Sequence, residues 1–154
     1  MVEFSGDFEE ALSGRSHPER LLPRGRIPLT ASESAAVIAR AASTRPVHRN
    51  PCHALQHLAI EPDATFFVPV TTGVEIYPRV ATERHFIKGS ANAFIGTGLK
   101  RLLREEDIEH LVILGMMTSM RIDATARAAV DLRLFVTVVH DACAAPDFDQ
   151  IPAH

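Results

Sequence analysis

The chain has 154 residues, 46% apolar and 23% charged, with 16 Lys and Arg against 19 Asp and Glu for a formal charge of -3. That mix is ordinary for one globular domain of about 100–200 residues, and it excludes a disordered chain, a collagen-like repeat and the basic surface of a nucleic-acid binder. The longest strongly apolar run, residues 111–117, falls far short of the roughly 20 residues that a membrane helix needs.

The opening MVEFSGDFEE is acidic and has neither a basic leader nor an apolar stretch, so it does not read as a secretory signal. Cys52 and Cys143 are too few for a disulfide framework and read as reduced thiols. The expectation is a cytoplasmic protein with neither a nucleic-acid nor a membrane partner. Pro18, Pro23, Pro28, Pro46 and Pro51 then punctuate the first third, each limiting helix or strand continuity. Residues 31–43, ASESAAVIARAAS, predict a helix, capped by Thr30 or Ser32 and rich in Ala. Residues 54–59 predict a short strand. Residues 65–70 are apolar, but Pro69 argues for a loop or a sheet edge, and residues 71–73 signal a turn.

Residues 85–88, HFIK, predict a short extended segment. Residues 91–105 predict an amphipathic helix, with Phe94, Leu99, Leu102 and Leu103 near helical spacing. Residues 110–115, HLVILG, form a short apolar run closed by Gly, the pattern of a buried parallel strand. Residues 119–132 predict a helix with Ile122, Ala126, Ala129 and Val130 inward, and residues 135–140, FVTVVH, predict a second buried strand. This alternation gives an α/β fold: three layers, a mostly parallel central sheet and helices on both faces. In such sheets, sites form beyond the carboxyl ends of the strands. Gly115-Met116-Met117-Thr118 runs from a strand end into a helix start, where unpaired N–H groups carry partial positive charge. From pattern alone the same turn is equally a tight strand-to-helix link with two Met residues as core filler.

Four segments decide between these readings: residues 64–80, 85–103, 108–132 and 135–145. They contain K-x-x-x-x-A-F-x-x-T-x-L from Lys88, L-V-I-x-G-M-M-T from Leu111 and A-T-A-R-A-A from Ala124. In this combination the chain resembles the isochorismatase-like cysteine hydrolases, a superfamily of isochorismatases, nicotinamidases and related amidohydrolases. The resemblance covers about half of the chain and implies a single Rossmann-like domain over residues 1–154. It is eroded at both ends: residues 9–28 match nothing in the family, and residues 1–30 as a whole match poorly. It further implies a homo-oligomer, no cofactor and a small-molecule ligand.

The resemblance also implies site residues. Its chemistry uses a Cys nucleophile, an Asp base and a supporting Lys, and the Lys falls on Lys88. It places a non-proline cis peptide in the G-M-M-T turn, at the Met117–Thr118 bond. Family members with this turn read G-M-M-T-x-M-C, whereas this chain reads GMMTSMR, with Arg121 in the position of the Cys. A guanidinium stays protonated and has no lone pair to attack an acyl carbon. The base register, against a family motif like I-D-x-Q-N-D-F, puts Glu3 in place of the Asp; the alternative is that residues 2–8 form no anchored strand.

Other candidates are weaker. His48, His53 and His57 lie five and four apart, but Pro51 breaks any helix that would align them, and no carboxylate or Cys completes a metal-ligand pattern. No metal site is expected. His140-Asp141 reads as a structural pair after the last strand, Ser119 as a helix cap and Cys143 as core filler. Two functional readings stay open. One is an active hydrolase of a small amide or enol ether with a non-standard nucleophile. The other is a family relative whose hydrolysis is impaired or lost because Arg121 replaces the nucleophile, and which either binds a small anion or is a degenerate sequence kept only as a fold. For Arg121 beside Lys88, two unit charges 4 Å apart at an effective dielectric of about 20 repel by about 4 kcal/mol. The expectation is therefore that the site holds an anion or pairs Arg121 with a carboxylate.

Overall fold

The computed structural model describes residues 2–4, 52–64, 69 and 84–145. Expectations for the 31–43 helix, the 71–73 turn, His48 and all of the 65–70 segment but Pro69 lie outside these residues. The described chain forms β1 (Val2–Phe4), β2 (His53–His57), β3 (Arg84–Lys88), α1 (Leu99–Glu105), β4 (His110–Met116), a π-helical turn (Thr118–Ile122), α2 (Asp123–Asp131) and β5 (Phe135–Ala144). The five strands make one sheet in the order β3-β2-β1-β4-β5, every neighbouring pair parallel. This is the α/β architecture read from the sequence.

β1 is three residues long, yet it is the middle strand. Glu3 stands in register with Leu55 of β2 on one side and Gly115 of β4 on the other. Strands added after β1 run outward to β3, and the chain then crosses to β4 and β5 on the other side. The direction of winding therefore reverses at β1 and β4, and the crevice beyond their carboxyl ends is where ligands bind in such sheets.

One face of the sheet and both helices enclose a core of Leu55, Ala93, Leu99, Leu103, Leu111, Ile113, Ile122, Ala129 and Cys143, with Phe86, Phe94, Ile108, Leu134 and Val136 against it. The two-residue period of a strand explains the selection on β4. Leu111 and Ile113 are buried, while Val112 between them is 43% exposed.

Several boundaries differ from expectation. The helix expected from residue 91 starts at Leu99. Asn92 and two glycines intervene: Asn92 Oδ1 accepts from Phe94 N–H (2.9 Å), Thr97 Oγ1 donates to Ala93 O (2.6 Å) and Gly96 has a positive φ of 68°. Such residues favour turns over helix. The helix expected over 119–132 is a π-helical turn followed by α2, and its inner stripe is Ile122, Thr125 and Ala129, whereas Val130 is 58% exposed. A polar Thr takes the inward place because it has backbone partners there. β5 continues four residues past the expected end, so His140 and Asp141 lie within it. Among the described residues no helix is long and apolar enough to cross a membrane.

Candidate functional site

The candidate site residues lie at the ends of three strands, β2, β3 and β4. β2 ends at His57 and β3 at Lys88, and the two are direct register partners. Neighbouring strands lie about 4.8 Å apart, and residues in register share a face. That face is the one covered by α1 and α2, since Leu55 and Phe86, two residues back on each strand, belong to the core packing. Leu58 N–H donates to Lys88 O at 2.9 Å and holds the two ends together beyond the ladder.

Lys88 is 2% exposed. Its Nζ donates to the carbonyls of Ser90 (3.1 Å) and Ala91 (2.7 Å), in the turn just after its own strand. That turn is held from above by Thr125 of α2, which is fully buried. Thr125 Oγ1 accepts from Ala93 N–H (3.1 Å) and donates to Ala91 O (3.4 Å). The long, flexible Lys side chain is thus fixed by two backbone acceptors, one of which is tied to the helix that follows the G-M-M-T turn.

β4 ends at Met116, and Met117, with extended φ/ψ of -95° and 139°, precedes the π-helical turn. Met117 O accepts from the N–H groups of Met120 (3.2 Å), Arg121 (3.0 Å) and Ile122 (3.2 Å). Thr118 is the first helical residue. Its Oγ1 is buried and makes no hydrogen bond among the described residues. The cis peptide joins Met116 to Met117, one bond earlier than the Met117–Thr118 position that the resemblance implied. The difference follows from the strand, which extends through Met116 and leaves Thr118 already inside the helix. Ser119 is not a cap: the capping position is Met117, without a side-chain bond, and Ser119 is exposed in the second position of the turn.

Arg121 is 3% exposed, with Nε and Nη1 wholly inside the protein. Its guanidinium is not turned into solvent. Its position relative to the other groups is felt at His57, whose imidazole is pushed down to about 4. Burial is the largest cause, the positive charges of Arg121 and Lys88 follow, and a hydrogen bond with the Ser90 backbone opposes them. His57 is therefore neutral at pH 7, and Arg121, Lys88 and His57 share one electrostatic neighbourhood. Glu3 enters by backbone register alone, on the strand between β2 and β4.

Cys143 lies beside the same turn, in register with Gly115. It is 2% exposed and packs in the core. Burial pushes its thiol up, a hydrogen bond with the Gly115 backbone works against this, and Asp141 adds to the rise. His53 is at the opposite end of β2 from His57, about 13 Å away along the strand, and its Nε2 meets Glu106 Oε2 at 3.3 Å. These two histidines therefore do not converge on one point. Among the described residues no group of three or more His, Cys, Asp or Glu is placed to hold a metal ion.

Two contributors escaped sequence reading. His57 was one of three scattered histidines, and only the β2–β3 register joins it to Lys88. Thr125 sat inside A-T-A-R-A-A, and the available signal was a hydroxyl on an otherwise apolar helical stripe.

Comparison with known proteins shows the family of the fold. The sequence profile of the isochorismatase domain matches residues 19–153, and so takes in residues 19–28 of the segment in which sequence reading found no match. An uncharacterised isochorismatase family protein of Bacillus subtilis, YddQ, is 41% identical over 128 residues, 79% of this chain and 70% of that protein. A putative isochorismatase hydrolase from Oleispira antarctica superposes with a TM-score of 0.71 at 32% identity, covering 99% of this chain and 80% of that one. A nicotinamidase from Staphylococcus aureus superposes at 0.67 with 21% identity, covering 97% and 82%, and shares the fold.

Proposed function

This chain belongs to the isochorismatase family, and on that premise we propose that it is a non-hydrolytic or severely impaired member whose site holds a small anion in place of a reacting ester, amide or ether. The observation that supports the reading is Arg121, a buried cation at the turn where the sequence resemblance puts the attacking sulfur. Thiolate attack needs an ionisable nucleophile in reach of the substrate. A guanidinium supplies five donors and no lone pair.

The surroundings favour anion binding. Lys88 and Arg121 are both buried, and both depress His57 by their positive charge. The Thr118 hydroxyl, buried and without a hydrogen bond among the described residues, is an uncharged donor at the start of the same turn. A carboxylate or other small oxyanion relieves the repulsion between the two cations and takes charge-assisted hydrogen bonds from them. Glu3 lies at the neighbouring strand by backbone register.

The test is hydrolysis of nicotinamide-like and isochorismate-like substrates by the purified protein and by Arg121→Cys. Wild-type protein is expected to show no turnover above the buffer rate. Turnover by Arg121→Cys alone locates the deficit in one side chain. Wild-type turnover at enzymatic rates, lost on removing another side chain, overturns the proposal.

A further inference from the structure

We propose that the protein carries a second small-molecule site, a cleft at the pole of the sheet opposite the G-M-M-T turn. Its ligand is a small carboxylate with a short branched apolar tail: the tail enters the cleft, and the carboxylate meets Lys100 and Arg104 at the mouth. The cleft has a volume of about 50 Å³ and is lined by Phe94, Lys100, Leu103, Arg104, Ile108 and Leu134. Its floor uses one turn twice, because α1 and α2 both end in a Schellman motif. Ile108 N–H donates to Leu103 O (2.8 Å) and Asp107 N–H to Arg104 O (3.2 Å), with Asp107 at φ 53°. Leu134 N–H donates to Ala129 O (3.0 Å) and Arg133 N–H to Val130 O (2.9 Å), with Arg133 at φ 68°. In this motif an apolar residue just past the left-handed position folds back onto the last helical turn. Ile108 and Leu134 are those two residues. Together with Phe94 they pack against the core, and all three remain half-buried. The N–H groups of Ile108 and Leu134 are already paired, so these walls are set before a ligand arrives.

The mouth is cationic. Lys100 and Arg104 lie one helical turn apart on the exposed side of α1, and both line the same opening. The acids beside them are engaged elsewhere: Glu105 pairs with Arg101 (3.6 Å), and Glu106 with Arg84 and His53. Neither the Lys100 nor the Arg104 side chain makes an ion pair or a hydrogen bond among the described residues. An apolar floor under two open cations selects an amphipathic anion. The volume sets the size of the tail. An apolar cavity of about 150 Å³ holds a six-carbon ring, so this one holds about two carbons and leaves the rest of a short tail at the mouth. Each buried methylene adds about fourfold to affinity, whereas each exposed charge contact adds less. A ligand of about eight heavy atoms then binds near 1 mM. The cleft is remote from the residues gathered at the strand ends. Ile108 and Leu134 precede β4 and β5, whereas the G-M-M-T turn lies at the far end of β4, about 20 Å along the strand.

The experiment is a titration of the full chain with isocaproate at neutral pH and low salt, followed through assigned backbone amide resonances. Acetate, which keeps the head, and isohexyl alcohol, which keeps the tail, are titrated beside it. Isocaproate is expected to move the resonances of Phe94, Leu103, Ile108 and Leu134 with a midpoint near 1 mM, and to leave Gly115 and Thr118 in place. Acetate should bind about tenfold more weakly and the alcohol about fivefold more weakly. Lys100→Gln and Arg104→Gln, made together, change only exposed side chains. That protein should bind isocaproate about fivefold more weakly than wild type and the alcohol equally well. Absence of movement in the cleft up to about 20 mM isocaproate overturns the inference. So does acetate binding as tightly as isocaproate, or a double variant that binds isocaproate as wild type does. Movement confined to the G-M-M-T turn overturns it too, since the acid then binds at the strand ends and not in the cleft.

Discussion

Replacing Thr125 by Val keeps the shape of the side chain and removes one hydroxyl, which isolates what that hydroxyl does. In the native protein it accepts from Ala93 N–H at 3.1 Å and donates to Ala91 O at 3.4 Å, and both Thr125 and Ala93 are fully buried. The two losses are unequal. Ala91 O retains its 2.7 Å bond from Lys88 Nζ, so it stays satisfied. Ala93 N–H loses its acceptor in a dry interior, and an unsatisfied buried donor costs about 1–3 kcal/mol. The expected destabilisation is therefore about 2 kcal/mol. With a urea slope of about 2 kcal/mol/M, the unfolding midpoint should fall by about 1 M at unchanged slope. Thr125→Ser restores the hydroxyl and gives up one methyl, so it should lose less through the hydrogen bond and show a different residual, near 1 kcal/mol of packing. If Thr125→Val unfolds at the wild-type midpoint or above it, the hydroxyl does not anchor the turn, and the account of how Lys88 is positioned fails with it.

Stability should also fall on acidification between about pH 6.5 and pH 4. The folded-state values of His57 and His53 both lie below the ordinary 6.5, mainly through burial. The unfolded chain therefore takes up protons first as pH drops, and the folded state loses ground until His57 itself titrates near 4. Urea midpoints at pH 7, 5.5 and 4.5 should decline, and His57→Gln should decline less steeply; equal slopes for the two proteins would remove His57 from the account. Gly96→Ala should cost about 1 kcal/mol through backbone strain alone. Gly96 has φ +68°, where an L side chain is disfavoured by about 1–2 kcal/mol, while a Cβ there meets no atom within 4 Å. A cost of several kcal/mol in urea unfolding would mean that the space is not open.

Much of the scaffold was legible because its signals are local. The run LVILG and the β-branched FVTVV announce parallel strands by composition, and the glycine after Leu114 marks the exit into the turn. The helix after β4 was legible in type and wrong in detail, since a single five-residue π-helical turn is too short for its different period to show in the apolar spacing. β1 was the hard case. Three residues with one acidic side chain carry no periodicity, and only pairing on both sides with β2 and β4 gives them a strand's identity. The site divided along the same line. Lys88 and Arg121 were visible through neighbouring motif residues, whereas His57 depends on register across strands thirty residues apart in sequence, which no short pattern encodes.

The strongest objection to a non-hydrolytic reading is that the nucleophile has moved rather than vanished, and Cys143 is the sulfur best placed for that role. Its register with Gly115 sets it one strand from the turn. Two requirements of a nucleophile then fail together. A thiolate is the attacking species, and burial together with Asp141 pushes this thiol up, away from ionisation at neutral pH. Access fails as well, because the side chain is 2% exposed and packs in the core with Ile113 and Ile122. Ser119 offers the opposite combination: it is exposed, but as a hydroxyl it needs a base, and no described hydrogen bond joins it to a histidine or a carboxylate.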